Sequence, residues 1–283
     1  MDKISVFGGQ GFIGSTFANA YPEETIVVPR SEVISETPNI LFMRSTVHNY
    51  HPKEGEPFLD IETNLLHFMK VLSENHKKWG SNMVFNLIST WFVYGNTHLP
   101  AQEDSACNPT GFYSITARAR EQLLISYCQT FSLHYRIVRL GNVIGIGDQK
   151  ISAKKNALQW MVRELTQGRE INLYKNGAIR DFIDVRDCVS AIHLVLKKGE
   201  LNQIYNIANG KGLRVEQLIE TARHEMGYTG KINYVEVPEF HKVVQTPIMW
   251  IDNTKIKKLG YVQQYDIAQS IRGLVAYYKE HES

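Results

Sequence analysis

The stretch Phe7-Gly8-Gly9-Gln10-Gly11-Phe12-Ile13-Gly14-Ser15 constrains this chain more than any other. It follows an apolar run, Ile4-Ser5-Val6-Phe7, that reads as a strand. It opens an amphipathic run, Phe12 to Tyr21, that reads as a helix. Gly8, Gly11 and Gly14 stand three residues apart, which suits a tight strand-to-helix turn in which no Cβ keeps backbone N–H groups from a pyrophosphate. The helix start adds unpaired donors and the positive end of its dipole. A glycine triplet alone is a weak signal. Between a strand and a helix at the head of the chain it points to a dinucleotide held by Gly8, Gly11, Phe12, Ile13 and Gly14.

The next strand, Thr25-Ile26-Val27-Val28, ends in Pro29-Arg30-Ser31. A carboxylate at such a strand end takes the ribose 2′-hydroxyl of NAD. Here Glu32 comes late, and an arginine and a hydroxyl, Arg30 and Ser31, occupy the spot. A guanidinium suits a 2′-phosphate, so the expected cofactor is NADP, with NAD as the alternative. The following apolar run, Ile40 to Met43, arrives too soon for a full βαβ crossover. The sheet is therefore expected to lack one strand–helix unit or to have it trimmed to a loop. Beyond it, helical spacing marks Asp60 to Asn75, and Asn82 to Ile88 reads as a buried strand ending in Ser89-Thr90. A helical pattern begins at Asn108-Pro109, and Tyr135 to Leu140 reads as a strand. Helices at Ala157 to Thr166, Asp187 to Leu196, Val215 to Glu225 and Ile267 to Lys279 alternate with strands at Ile171 to Tyr174, Ile204 to Ile207 and Ile232 to Val237. Lys175-Asn176-Gly177 reads as a turn, and the stretch after Val237 as a loop. Such alternation argues for a parallel sheet covered on both faces, with a smaller lobe over the strand ends.

The 283 residues suffice for one large domain or two that share a core. A formal net charge of +2 gives no reason to expect a nucleic-acid or membrane surface. Cys107, Cys128 and Cys188 fit neither a disulfide framework nor a metal site and suggest a reducing compartment. Met1-Asp2-Lys3 leads straight into the first strand with no leader, so a cytoplasmic protein is expected.

Five motifs stand in one order: FGGQGFIG at Phe7 to Gly14, ISTWFVYG at Ile88 to Gly95, EDSACNPTGFYSITARAREQ at Glu103 to Gln122, RLGNVIG at Arg139 to Gly145 and NGAIRDFIDVRDCV at Asn176 to Val189. YNIANG at Tyr205 to Gly210 and IDNTKIKKLGY at Ile251 to Tyr261 extend the match almost to the end. The sequence resembles the extended short-chain dehydrogenase/reductase family, in its nucleotide-sugar epimerase, dehydratase and ketoreductase branch. The resemblance implies an α/β fold with a doubly wound parallel (Rossmann-type) sheet and a smaller C-terminal α/β substrate lobe. Residues 1–146 would bind the dinucleotide, with a return of the chain around 180–207, and 147–283 would form most of the substrate lobe. It implies a nucleotide-diphosphate sugar as substrate and a homodimer built from the helices that begin at Asp60 and Tyr113.

The resemblance also assigns roles. Tyr113 matches the family's catalytic tyrosine and Thr90 its catalytic serine or threonine. A phenol at that place exchanges a proton with the C4 oxygen of the sugar, and the Thr90 hydroxyl holds the same oxygen. Ser45, with Thr46, ends a strand at the cofactor edge, and Leu140 lies at the cofactor-side end of another. Asn142 and Arg180 match positions near the sugar diphosphate, where a guanidinium offers phosphate two donors. Asn64 matches an asparagine behind the active site. Trp91 and Phe92 stand where the family's 4,6-dehydratases carry an acidic pair; two aromatics cannot do that elimination, and their work is packing against the sugar or within the core. His241 and Lys242 are the nearest candidates for a second diphosphate contact. Asp181, Asp184 and Asp187 have structural places in the family, and no histidine accompanies them to make a metal site. His48, His67 and His193 have no partner in the sequence pattern.

One departure matters. Four residues after its tyrosine the family has a lysine, and here that residue is Ala117. A lysine there would lower the phenol pKa and hold the cofactor ribose. Arg118 points elsewhere round the helix, and Arg120 lies two turns on, so neither replaces it simply; Arg44 at a strand end is a possible substitute. Proton donation tolerates the loss better than proton removal. The reading is therefore NADPH-dependent reduction of a nucleotide-linked 4-keto-6-deoxysugar. The alternatives are a nucleotide-sugar epimerase with bound NAD(P), or a catalytically impaired relative that binds a nucleotide sugar.

Overall fold

The computed structural model describes residues 3–46, 51–175, 177–227 and 231–282. In chain order the Rossmann half runs β1 (Ile4–Phe7), α1 (Phe12–Ala20), β2 (Thr25–Val28) and β3 (Asn39–Phe42). It continues with α2 (Leu59–Ile61), which passes through a π turn (Glu62–Leu66) into α3 (His67–Trp79). Next come β4 (Val84–Thr90), α4 (Phe112–Thr130) and β5 (His134–Leu140). The chain then makes β6 (Asn142–Ile144), α5 (Ala157–Thr166), β7 (Ile171–Tyr174), β8 (Ile179–Arg180) and β9 (Phe182–Asp184). It returns to the large sheet through α6 (Val185–Lys198) and β10 (Gln203–Ile207). The last part holds β11 (Leu213–Arg214), α7 (Val215–Met226), β12 (Ile232–Val235), α8 (Glu239–Val244), α9 (Thr254–Lys258) and α10 (Ile267–His281).

Six strands form one parallel sheet in the order β10-β5-β4-β3-β1-β2. The inner strands β1, β3 and β4 bury both faces, which is why the sequence shows apolar runs there rather than alternation, whereas edge strand β2 leaves Val27 exposed. Ile4, Val6, Leu41 and Val138 face α1 and α6, where Phe17, Val189 and Ile192 complete the layer. Phe7, Phe42, Phe85 and Ile137 face α3 and α4, against Phe68, Val71 and Leu124.

The expected trimming is present. Residues 29–38 carry the chain from β2 across β1 to β3 with neither helix nor strand. Hydrogen bonds replace the missing helix. The Ser5 hydroxyl on β1 accepts from the amides of Glu36 and Thr37, each at 3.0 Å. Buried Asn75 on α3 accepts from the Ser35 amide at 2.7 Å and donates to the Val33 carbonyl at 2.7 Å. The Trp79 indole donates to the Ser35 hydroxyl at 2.8 Å.

The second half has its own core. Leu158, Val162 and Leu165 of α5 pack with Ile219 of α7 and Ile271 and Leu274 of α10. Three buried aspartates fasten this half to the sheet, in keeping with the structural places expected for them. Asp181 accepts from the amides of Asn209, Gly210 and Ile251 at 3.0–3.2 Å. Asp184 caps α6 through the Arg186 amide and accepts from the Ser270 hydroxyl at 2.6 Å. Asp187 accepts from the amides of Gln264 and Tyr265.

Several boundaries differ from the sequence reading. α4 begins at Phe112, not at Asn108-Pro109, because the Asn108 amide donates to the Tyr94 carbonyl and a residue before proline avoids helical torsions. The helix expected from Asp60 contains the π turn. Residues 239–244, expected as loop, form α8 behind Pro238. β12 ends at Val235, two residues early. Asn176 of the expected turn lies outside the described residues. No helix among the described residues is long and apolar enough to cross a membrane.

Candidate active site

The glycine turn has the geometry its spacing suggests. Gly8 adopts φ +95°, where a side chain would be strained, and its carbonyl accepts from the Gly11 amide at 3.0 Å. A Cβ on Gly14 would lie 2.2 Å from the Gly8 oxygen, so helix and strand approach as closely as they do only with glycine there. α1 has no side-chain cap and no acidic residue in its first turn. Its first amides are thus left to an anion, the arrangement that a dinucleotide pyrophosphate fits. Phe12 and Ile13 are half-buried and pack on the core beneath the turn.

Beside this turn, the strand ends gather positive charge. Arg30 and Ser31 are exposed in the turn after β2. Arg44, just after β3, donates to the carbonyls of Pro29 at 2.6 Å and Glu32 at 3.0 Å, and its guanidinium lies 5.0 Å from the centre of the Phe7 ring. The His67 ring nitrogen sits 3.0 Å from the Arg44 guanidinium. Burial, Arg44, Lys70 and Arg30 all hold the His67 imidazole below its usual pKa. The Arg44 side chain, offered by the sequence as one cation that could substitute for the family lysine, is therefore engaged by carbonyls at the β2 end.

Tyr113 stands in the first turn of α4, fixed by Ser114, whose hydroxyl accepts from the Gly111 amide at 3.0 Å and donates to the Gly111 carbonyl at 2.8 Å. It is 8% exposed. Burial pushes its phenol above the usual tyrosine range; Arg120 and the hydroxyls of Thr90 and Ser45 pull it back, and Asp60 opposes them. Thr90 ends β4 and its Oγ1 accepts from the Phe92 amide at 3.3 Å. The Ser45 hydroxyl donates to Asn64 Oδ1 at 3.1 Å. Asn64, in the π turn, also accepts from the Thr46 amide and donates to Thr116 Oγ1 at 3.0 Å. It thus ties the β3 end to α4 one turn from Tyr113, and the π turn is what places it there. The structure brings Tyr113, Thr90 and Ser45 together, with Arg120 on the same helical face. Ala117 is fully buried.

On the substrate side, Trp91 is 2% exposed, in a core with Tyr94, Ala117, Ala208 and Met249. Its ring stacks on Phe92 at 3.9 Å and receives the Arg180 guanidinium at 5.2 Å. From this turn it is half-buried Phe92 that meets Tyr113, edge-on, with ring centres 6.0 Å apart. Arg180 is buried, makes no ion pair among the described residues, and is pushed down to about 10 by burial. The Asn142 amide group donates to the Asp181 carbonyl at 2.9 Å. Leu140 ends β5 with its side chain in the core, 5% exposed, so any contact it makes with a cofactor falls to its backbone. His241 is engaged by the Tyr174 hydroxyl, and Lys242 pairs with Glu239 on α8. His193 pairs with Glu24 and stacks on Tyr21; His48 lies outside the described residues. Among the described residues no cluster of His, Cys, Asp and Glu is arranged to hold a metal, and the three cysteines are free.

The sequence reading set Arg120 aside for being two turns from Tyr113. Two turns is seven residues, which returns to the same face within about 20°, and that is the signal that finds it.

Over residues 4–208 the sequence matches the family described as NAD dependent epimerase/dehydratase. A Methanocaldococcus jannaschii protein named provisionally as a UDP-glucose 4-epimerase is 24% identical, with 98% of this chain and 99% of that protein covered. The GDP-6-deoxy-D-mannose reductase of Pseudomonas aeruginosa is 30% identical over 58% of this chain; the match spans only 56% of that relative's length. The structure of the Thermotoga maritima UDP-glucose 4-epimerase with UDP-glucose superposes with a TM-score of 0.87 at 22% identity, covering 99% of this chain and 100% of that one. RMD from Pseudomonas aeruginosa complexed with NADPH gives 0.82 at 21%, covering 99% of each. At these identities the structural likeness speaks for the fold, whereas the family match takes in well over half of the chain. This chain belongs to the NAD-dependent epimerase/dehydratase family.

Proposed function

We propose that this enzyme uses NADPH to reduce a nucleotide-linked 4-keto-6-deoxysugar, with Tyr113 as proton donor and Thr90 orienting the C4 oxygen. A bound nicotinamide dinucleotide supplies the hydride. The chain's own part is to hold the carbonyl and deliver a proton to its oxygen. The observation that carries the reading is the environment of Tyr113, a buried phenol kept above the usual tyrosine range and hence protonated at neutral pH. Such a phenol is ready to give a proton and poorly suited to take one. Arg30 and Arg44 at the β2 end favour a cofactor with a 2′-phosphate. Arg180, buried without a carboxylate, offers its charge to a sugar diphosphate beside Asn142. The similarity to a GDP-6-deoxy-D-mannose reductase and to a protein complexed with NADPH supports this direction.

The second reading, epimerisation of a UDP-sugar, is favoured by the likeness to the Thermotoga epimerase with UDP-glucose. Incubation with NADPH and a panel of nucleotide-linked 4-keto sugars separates the two. Loss of cofactor absorbance supports reduction. Interconversion of UDP-hexoses without net loss of cofactor supports epimerisation. Silence in both assays with cofactor bound leaves a nucleotide-sugar-binding role.

The protein also acts as a homodimer in this reading. Phe58, Leu66, Ile115 and Leu123 expose apolar surface just before α2, in the π turn and on α4, the helical segments for which pairing was expected.

A further inference from the structure

We propose that Arg120 is the positioning residue that holds the charge of the Tyr113 oxygen during proton transfer, its guanidinium anchored at the ends of β3 and β4. Tyr113, Ala117 and Arg120 occupy the i, i+4 and i+7 positions of one face of α4. Helical side chains lean toward the N-terminus, the direction of Tyr113 from Arg120, and the Arg120 guanidinium lies 6.0 Å from the centre of the Phe42 ring on β3. Two carbonyls pin the guanidinium. One terminal nitrogen donates to Arg44 O at 3.0 Å and the other to Ile88 O at 3.2 Å. These carbonyls lie at the ends of β3 and β4, next to Ser45 and two residues before Thr90, the hydroxyls that face the phenol.

The group is 1% exposed, yet it makes no ion pair among the described residues, and its Nε has no hydrogen-bond partner. The neighbouring carboxylate, Glu121, is taken by Arg139, Arg118 and Ser89. Among the described residues only the charge of Glu121, already shared with two other arginines, and the phenol itself offset the burial of this cation; a nearby oxygen that becomes negative during turnover accounts for it. Among the described residues, the other groups facing the phenol are Asp60 on α2 and the hydroxyls of Thr90 and Ser45, and there Arg120 acts against Asp60.

The inference rests on Tyr113 as the proton-transfer group, and the test reads the phenol directly so that the two can fail separately. Phenolate absorbance is titrated with pH, and the Tyr113→Phe spectrum is subtracted to isolate one tyrosine. Arg120→Met and Arg120→Gln, the latter keeping an amide for the carbonyls, should raise the midpoint by about one unit or more. Arg120→Lys should restore part of the shift. A midpoint unchanged in both neutral variants overturns the proposal. If neither variant folds, tyrosine-labelled NMR of the wild-type protein decides. Tyr113 titrating below buried Tyr94 and Tyr261 supports the role, and titrating with or above them overturns it. Turnover of Tyr113→Phe tests the functional reading independently.

Discussion

At the scale of single residues, the account turns on a phenol and the charges around it. Removing the Tyr113 hydroxyl with Tyr113→Phe should lower kcat about a hundred- to ten-thousand-fold and leave cofactor affinity nearly unchanged, as steady-state kinetics and NADPH titration would show. The pH dependence follows from the direction in which the phenol is displaced. Reduction consumes the protonated form, so its rate should be flat through neutral pH and fall only above the ordinary tyrosine value of about 10. Oxidation needs the phenolate and should rise with pH over the same range. Arg30 is exposed and makes no hydrogen bond or ion pair among the described residues, so Arg30→Ala should weaken NADPH about tenfold and NADH hardly at all; equal losses for both would remove Arg30 from the 2′-phosphate site. The Ala117→Lys change that would restore the family pattern must enter a closed core beside Trp91 and Met249. It should cost about 1–3 kcal/mol in urea unfolding without raising turnover.

At the scale of elements, what the sequence revealed and what it hid have physical reasons. The glycine turn was legible because only glycine tolerates φ +95° at Gly8 and the approach at Gly14, and both demands leave a mark in composition. The short β2–β3 connection was legible from length alone. The seat of Arg44 was not, because its partners are the carbonyls of Pro29 and Glu32, and a carbonyl has no residue identity to read. The π turn that aims Asn64 escaped because one extra residue per turn barely disturbs an apolar stripe. Arg120 was misjudged on distance along the chain rather than angle round the helix. Asn75 shows how much rests on one side chain. With Asn75→Ala, the Ser35 amide and Val33 carbonyl lose buried partners, and stability should drop by about 1–3 kcal/mol per unmet group. The same variant should weaken NADPH binding, since the loop it braces carries Arg30.

At the scale of the whole molecule, buried aspartates join the core of the sheet to that of the second half, and exposed apolar residues lie at the start of α2, in the π turn and on α4. If those residues pair two copies, light scattering should report a dimer, and a charge introduced by Leu66→Asp with Ile115→Asp should give monomers that keep the fold. A wild-type monomer at micromolar concentration would reject the pairing. The central claim, a dinucleotide on the glycine turn with its nicotinamide beside Tyr113, is met most directly by a density map of the protein with NADP bound. We expect the pyrophosphate on the amides of Gly11 to Ile13, the 2′-phosphate between Arg30 and Arg44, and the nicotinamide ring beside the Tyr113 hydroxyl. A nicotinamide ring remote from that hydroxyl, or a pyrophosphate held anywhere but the turn, would contradict the account.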